Sequence, residues 1–229
     1  MNPGGPRAGE MPGHRADGRP MHLFFDLDGT LTDPREGIVN CFEFALSRLG
    51  IEIDPAIRLE SYIGPPMRDA LRELCGDDRV EPAVEIYRER FATVGLYENR
   101  VYDGIRECLE SLTGKADSIH VVTSKPTLYS ERIVEHFDLR RYFGTVYGSR
   151  LDGRLSDKTE LLAHVLEREG ISPAHAVMIG DRKFDILGAR NHGIRALGVL
   201  WGYGTKQELL AAGADEICEH PREIYARIF

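Results

Sequence analysis

The second half of this chain alternates short apolar segments with amphipathic ones, and no other feature constrains the fold as strongly. Strands that alternate with helices form a parallel sheet with helices on both of its faces. We therefore predict an α/β fold built on a parallel sheet. The predicted strands span residues 22–26, 118–123, 145–148, 176–180, 194–200 and 216–218, and the predicted helices among them span 103–112, 127–137, 157–169, 184–192 and 206–212.

The segment between the first two predicted strands differs, because its apolar residues recur only at helical spacing. Helices are predicted over residues 36–49, 66–75 and 81–94, with no strand among them. We interpret residues 34–101 as an all-helical domain inserted into a core made of residues 21–33 and 102–229. Residues 1–20 contain five Gly and four Pro but no Leu, Ile, Val or Phe, so we predict a disordered tail there.

Composition and charge exclude several kinds of partner. The formal net charge is −8, which argues against binding of nucleic acid or of an anionic membrane surface, because both attract clustered positive charge. No apolar run approaches the roughly 20 residues that cross a bilayer. The four cysteines lie singly along the chain, at positions 41, 75, 108 and 218, which indicates reduced thiols. We therefore predict a cytoplasmic protein.

Two carboxylates stand at the end of the first predicted strand, in the string Asp26-Leu27-Asp28-Gly29-Thr30. Ligands of α/β proteins bind outside the carboxyl ends of the strands, so Asp26 and Asp28 point to the usual site. Gly29 lets the chain turn sharply there. Two close carboxylates repel each other unless a cation or a proton compensates, and the pair therefore indicates a hard divalent ion.

Three later strand ends carry complementary groups. Asp181 ends one predicted strand and Asp185 lies one helical turn later, so both carboxylates can face the same point. Carboxylate oxygens with water are the ligands that Mg²⁺ prefers. Ser124 offers a hydroxyl after the second core strand, and Lys158 offers an ammonium at the start of a helix. A phosphoryl group needs such donors and positive charge.

In chain order, these strings resemble the four motifs of the haloacid dehalogenase (HAD) superfamily of aspartate-nucleophile phosphatases. The strings are DLDGT beginning at Asp26, TSK around Ser124, the isolated Lys158, and GDRKFD around Asp181. The likeness covers residues 21–218 and is greatest to the phosphoglycolate phosphatase and 5'-nucleotidase-like group. It implies a Rossmann-like core sheet ordered 3-2-1-4-5, and a mobile helical cap over the inserted residues.

The resemblance also implies a role for each residue. Asp26 would be the nucleophile that forms an aspartyl-phosphate, and Asp28 would serve as general acid and then general base. Mg²⁺ would bind the Asp26 carboxylate, the Asp28 backbone carbonyl and Asp181. Asp185 would bind the ion through a water molecule or would hold the direct ligands in place. The residues that would hold the phosphate are Ser124, Lys158 and Gly29.

The implied activity is Mg²⁺-dependent hydrolysis of a small phosphorylated metabolite, of the phosphoglycolate or the nucleoside 5'-monophosphate type. Arg68, in the predicted cap, is a candidate for binding the substrate, and an exposed helix arginine explains it equally well. We interpret Lys125 and Lys183 as surface charges near the site. The sequence does not distinguish between the two types of substrate.

Two other functions stay open. A sugar phosphomutase resembling β-phosphoglucomutase uses the same pair of aspartates, but it should need a bisphosphate activator and give no net phosphate release. A phospho-aspartate signalling module of the receiver type uses similar groups, but receivers carry the acceptor on the third strand and have no cap. Haloacid dehalogenation is disfavoured because the branch of the superfamily that catalyses it needs no metal, whereas this chain keeps Asp28 and the Asp181 and Asp185 pair. Phosphonate cleavage is disfavoured because it uses a cap lysine, and residues 35–102 contain none.

Overall fold

The computed structural model describes residues 20–229, and its main feature is a six-stranded parallel sheet between two apolar cores. The strands are β1 (His22–Phe25), β2 (Thr32–Asp33), β3 (Arg100–Val101), β4 (Ser118–Pro126), β5 (Val146–Ser149), β6 (Ala176–Gly180), β7 (Arg195–Val199) and β8 (Glu216–Cys218). The helices are α1 (Arg35–Arg48), α2 (Met67–Cys75), α3 (Val80–Arg90), α4 (Ile105–Leu112), α5 (Thr127–His136), α6 (Lys158–Glu169), α7 (Lys183–Asn191), α8 (Lys206–Ala211) and α9 (Glu223–Ile228).

The main sheet has the order β5-β4-β1-β6-β7-β8, and every neighbouring pair is parallel. Counted as core strands along the chain, the first five follow the predicted order 3-2-1-4-5. The predicted α/β class is therefore confirmed. The order differs in one respect, because β8 pairs with β7 and extends the sheet by a sixth strand at that edge.

Strand β1 lies in the middle of the sheet and is buried on both faces. Leu23 and Phe25 belong to one apolar core, and Phe24 between them belongs to the other. This division follows from the alternation of side chains along a strand, and it explains why β1 is a continuous apolar run. Because β1 pairs with β4 on one side and β6 on the other, the residue that follows β1 lies between the ends of both neighbours.

The region between β2 and β3 contains the three predicted helices, α1 to α3, which share an apolar core with one face of the sheet. The last helix was predicted to continue to residue 94, but α3 ends at Arg90 and a π-helical turn follows over Phe91–Gly95. Strands β2 and β3 pair antiparallel where the chain enters and leaves this region. The sequence does not predict them, because two residues are too few to show the period of a strand.

Two predictions concern the rest of the chain. None of the helices within residues 20–229 is long and apolar enough to cross a membrane. The predicted disordered tail falls on residues 1–19, which lie outside the described residues, and on Pro20.

Candidate active site

Three predicted carboxylates meet at the carboxyl ends of two neighbouring strands. Asp26 follows β1 and Asp181 follows β6, while Asp185 lies in the first turn of α7. One carboxylate oxygen from each lies within 4.8 Å of the others, and all three residues are buried. The sheet order produces this cluster, because β1 and β6 are adjacent and parallel and their ends therefore face the same side.

Lys158, the first residue of α6, brings positive charge to the cluster. Its ammonium lies 3.0 Å from Asp26 Oδ1 and 2.8 Å from Asp185 Oδ1, and it donates a hydrogen bond of 2.9 Å to the Val122 carbonyl. Only 4% of the side chain is exposed. Burial alone would lower the pKa of Lys158, but the carboxylates of Asp185 and Asp26 more than offset this and raise it. The lysine therefore stays charged inside the protein.

The third carboxylate of the cluster, Asp181, has weaker partners. It accepts a hydrogen bond of 2.8 Å from the Tyr203 backbone amide and a longer one, 3.4 Å, from the Thr30 hydroxyl. Within residues 20–229, no basic nitrogen lies within 4.0 Å of it. Burial, and then the negative charges of Asp185 and Asp26, raise the pKa of Asp181 well above its usual value.

The donor set of the cluster fits a hard divalent cation. Asp26, Asp181 and Asp185 supply three carboxylates, whereas Lys158 is their one close cation among the described residues and contacts two of them. Buried charges that are not fully paired are costly, and oxygen ligands with excess negative charge are what Mg²⁺ binds. The observed arrangement is compatible with this ion.

Gly29 allows the loop after β1 to pass directly over Asp181. Its φ of 83° lies in the left-handed region, and a Cβ added to it would lie 2.3 Å from Asp181 Oδ2. Both the backbone conformation and the lack of space therefore exclude larger residues. This conformation is compatible with the sharp turn that the sequence predicts at Gly29.

Asp28, the second carboxylate of the first motif, is not one of the three clustered carboxylates, and its side chain contacts Lys125. The two side chains form an ion pair, in which the lysine ammonium donates to Asp28 Oδ2. Burial raises the pKa of Asp28, and the nearby ammonium offsets part of the rise. The interpretation of Lys125 as a surface charge is wrong, since only 8% of its side chain is exposed. Lys183 is exposed, as interpreted.

Two neighbouring residues in the second half of β4, Thr123 and Ser124, carry hydroxyls and line the same cavity. Ser124, the predicted phosphate-binding residue, lines it and is partly exposed. Thr123 lines it as well, and its buried hydroxyl accepts a hydrogen bond of 3.3 Å from the Lys125 amide. Only Ser124 is predicted from the sequence, although both residues stand in the same motif. The signal for Thr123 in the sequence is that it ends the predicted strand 118–123, where ligands of α/β proteins bind.

The cavity beside the cluster has a volume of about 120 Å³, and both the core and the helical region contribute to its walls. Asp26, Asp28, Lys158 and Asp185 lie on the core side. The rings that line it are those of Phe42, Tyr62, Tyr87, Phe91, Tyr129 and Phe184. A charged floor under a largely aromatic wall is typical of a site for a small polar molecule with an apolar or planar part.

Two arginines of the helical region, Arg68 and Arg88, have different surroundings. Arg68, the predicted substrate residue, forms an ion pair with Glu81, is 41% exposed, and does not line this cavity. Arg88 on α3 does line it. Arg88 donates a hydrogen bond of 2.9 Å to the Leu151 carbonyl, while its Nε is buried without a hydrogen-bond partner. The structure thus brings Arg88, and not Arg68, to the cavity.

Comparison with known proteins agrees with the geometry. The family of haloacid dehalogenase-like hydrolases matches residues 23–199. A 5'-nucleotidase of Pseudomonas aeruginosa is 48% identical over 199 residues, which cover 86% of this chain and 90% of that protein. A phosphoglycolate phosphatase of Aquifex aeolicus is 30% identical over 181 residues, which cover 79% of this chain and 85% of that protein. The crystal structure of a predicted phosphatase from Clostridium acetobutylicum has a TM-score of 0.85 at 38% identity, and covers 91% of this chain and 97% of that one. The chain belongs to the haloacid dehalogenase-like hydrolase family and is a phosphatase.

Proposed function

We propose that this protein hydrolyses a small phosphate monoester in a Mg²⁺-dependent reaction that passes through an aspartyl-phosphate on Asp26. The observation that supports this most strongly is the carboxylate cluster of Asp26, Asp181 and Asp185, with the single ammonium of Lys158 beside it. Asp26 also lines the cavity, so it is accessible to a bound ester. A carboxylate attacks a phosphate only where positive charge offsets the meeting of two anions.

In the first half of the reaction, a carboxylate oxygen of Asp26 attacks the phosphorus. The new O–P bond forms while the O–P bond to the alcohol breaks, and Asp28 gives its proton to the departing alkoxide. Burial raises the pKa of Asp28, which favours the protonated carboxyl that this step needs. In the second half, Asp28 takes a proton from the water that attacks the phosphorus, the P–O bond to Asp26 breaks, and inorganic phosphate leaves with the Asp26 carboxylate restored.

The remaining groups hold charge and oxygen atoms in place. The carboxylates of Asp26 and Asp181 and the Asp28 backbone carbonyl would hold Mg²⁺, with Asp185 in support, and the ion would supply positive charge that offsets the meeting of two anions. Lys158 keeps the Asp26 carboxylate oriented through their contact of 3.0 Å. The groups proposed to hold the phosphate oxygens are the hydroxyls of Ser124 and Thr123, the Lys158 ammonium and the Gly29 backbone.

Release of inorganic phosphate from a panel of phosphate monoesters tests this proposal. We expect activity that EDTA abolishes and added Mg²⁺ restores, because the carboxylate cluster otherwise repels a phosphate dianion. Inactivity on the whole panel together with a stable phosphate on Asp26 would point instead to a signalling module. Turnover that requires a sugar bisphosphate and gives no net phosphate release would point to a phosphomutase.

We also propose that residues 34–101 act as a cap on a catalytic core made of residues 21–33 and 102–229. The cavity supports this division, because Phe42 and Tyr87 line it from the helical region while Thr123 and Lys158 line it from the core. A cytoplasmic location is proposed as well. Its support is that all four cysteines are buried free thiols, as expected of proteins in a reducing compartment.

Of the two substrate types that the sequence leaves open, we propose the nucleoside 5'-monophosphate. Six aromatic rings line the cavity, and such rings pack well against the planar face of a base. The similarity to a 5'-nucleotidase agrees with this choice.

Arg88 is expected to contact the part of the substrate that departs as the alcohol. Four basic side chains line the cavity, and Arg88 is the one with no carboxylate within 4.0 Å among the described residues. Replacing Arg88 by Gln should therefore raise KM about 10- to 100-fold, the loss of one hydrogen bond from a charged donor. Steady-state kinetics on the best nucleotide of the panel measures this change.

The matched control for that variant is Arg68→Gln, in the same helical region. The Arg68 guanidinium pairs with Glu81 at an exposed position, so its loss should leave KM within about twofold. A large rise in KM for Arg68→Gln, with no change in KM for Arg88→Gln, would show that Arg68 contacts the substrate and would contradict the assignment of that contact to Arg88.

A further inference from the structure

Lys125 is a buried lysine next to the reacting carboxylates, and the proposed reaction leaves it without a role. It forms an ion pair with Asp28, and 8% of its side chain is exposed. Its ammonium also lies 4.7 Å from the centre of the Phe91 ring, a distance typical of a cation–π contact. One ammonium thus joins a carboxylate of the core to an aromatic ring of the proposed cap.

The local fold is shaped to place Lys125 there. The pairing of β4 with β5 is regular up to Thr123 and then shifts register before Pro126. Lys125 lies inside this irregular stretch, and Gly148 on β5 makes room for it, because a Cβ at Gly148 would lie 2.4 Å from the Lys125 carbonyl oxygen. An irregularity of this kind re-aims a side chain that a regular strand would direct elsewhere.

Asp28 depends on this lysine for its orientation. Among the described residues, Lys125 gives the only hydrogen bond to the Asp28 side chain, and Asp28 Oδ1 is buried without any partner. A carboxyl group that must deliver a proton needs a fixed position relative to the ester oxygen. Without the ammonium, nothing in residues 20–229 would hold the Asp28 side chain toward the cavity.

Phe91 in turn packs against one ring of the proposed cap, that of Tyr87, and one ring of the core, that of Tyr129. It lies in the π-helical turn after α3, stacks on Tyr87 at 5.7 Å, and meets Tyr129 edge-on at 5.3 Å. A shift of the cap relative to the core would move this ring, and with it one of the two contacts of the Lys125 ammonium.

We propose that Lys125 is a positioning residue, which holds the Asp28 carboxyl where it can protonate the leaving alkoxide. Lys125 holds Asp28 fully in this position only while the Phe91 ring packs against the Lys125 ammonium. The inference rests on the proposed phosphatase mechanism. In that mechanism the proton passes from Asp28 to the ester oxygen as the P–O bond breaks. The need for it is greatest for a basic alkoxide and small for nitrophenolate, which leaves as a stable anion.

Two substrates with different leaving groups test the role of Lys125. The ratio kcat/KM reports the steps up to the release of the alcohol. For Lys125→Met we expect kcat/KM to fall about 100-fold with a nucleoside 5'-monophosphate and less than about threefold with 4-nitrophenyl phosphate. Lys125→Arg, which keeps the charge, should restore most of the loss. Lys183→Met removes an exposed lysine near the site and should leave both values unchanged.

The cap contact has its own variant. Phe91→Leu keeps an apolar side chain but removes the ring under the ammonium, and it should reduce kcat/KM about three- to tenfold with the nucleotide only. Equal values for Phe91→Leu and the wild type would overturn the dependence on the cap. An equal fall in kcat/KM for both substrates would show that Phe91 acts only through packing.

Three results would overturn the inference for Lys125 itself. Equal loss on both substrates in Lys125→Met would indicate a general structural role. Equal loss accompanied by weaker inhibition by inorganic phosphate would show that Lys125 binds the phosphate directly. If the wild type hydrolyses neither ester, the proposed function fails and this inference with it, an outcome that the wild-type assay reveals before any variant is made.

Discussion

We expect the Asp26→Asn variant to release phosphate at least about 10⁴-fold more slowly than the wild type, the order of loss that follows removal of a covalent nucleophile. Asn has the same shape as Asp but lacks the negative oxygen that attacks phosphorus. Phosphate release on the best substrate measures the effect. A wild-type sample quenched in acid during turnover should carry one phosphoryl group on the peptide that contains Asp26, and the variant should carry none.

Asp26→Asn should not destabilise the folded protein in the absence of metal. Asp26 is one of three carboxylates within 4.8 Å, and its charge contributes to the raised pKa of Asp181. Its removal relieves repulsion, while Lys158 keeps its contact of 2.8 Å with Asp185. Thermal unfolding should therefore occur at the same or a higher temperature. Full activity of the variant would exclude Asp26 as the nucleophile, and a large loss of stability would contradict the charge argument.

The positions of the acidic residues could be predicted from the sequence because each follows from the end of a strand. The apolar run of β1 fixes where Asp26 emerges, and that of β6 fixes Asp181. In a parallel sheet those ends face one side, so only the order of the strands was needed to bring them together. That order came from the resemblance of the motifs, since no local pattern specifies which strands are neighbours.

The parts of the site that depend on packing could not be predicted. Arg68 and Arg88 both lie on helices of the same region, and only the packing of those helices decides which of them reaches the cavity. From the sequence, Lys125 is interpreted as a surface charge near the site. Its burial follows from the register shift in β4, which has no signature in the sequence. The support of Asp181 by a backbone amide, that of Tyr203, is equally invisible there.

Lys158→Met should have the largest effect on stability of any single substitution in the site. The Lys158 ammonium contacts Asp26 and Asp185, and without it three buried carboxylates have no cation near them among the described residues. Loss of one partner from a buried ion pair costs about 3–5 kcal/mol, and we expect the free energy of unfolding to fall by that amount without metal. Urea unfolding in EDTA measures it. Activity should fall at least about 10³-fold, because the nucleophile loses its orienting contact.

Two controls separate this charge effect from a loss of packing. Lys183→Met removes an exposed lysine nearby and should change the free energy of unfolding by less than about 0.5 kcal/mol. The double variant Asp26→Asn with Lys158→Met should be more stable than Lys158→Met alone, because it removes one of the uncompensated carboxylates. Mg²⁺ should recover part of the loss in Lys158→Met, since a cation that binds only the folded state stabilises it. If neither the second substitution nor Mg²⁺ restores any stability, Lys158 contributes through packing, and the cluster does not carry the excess negative charge from which a metal site is inferred.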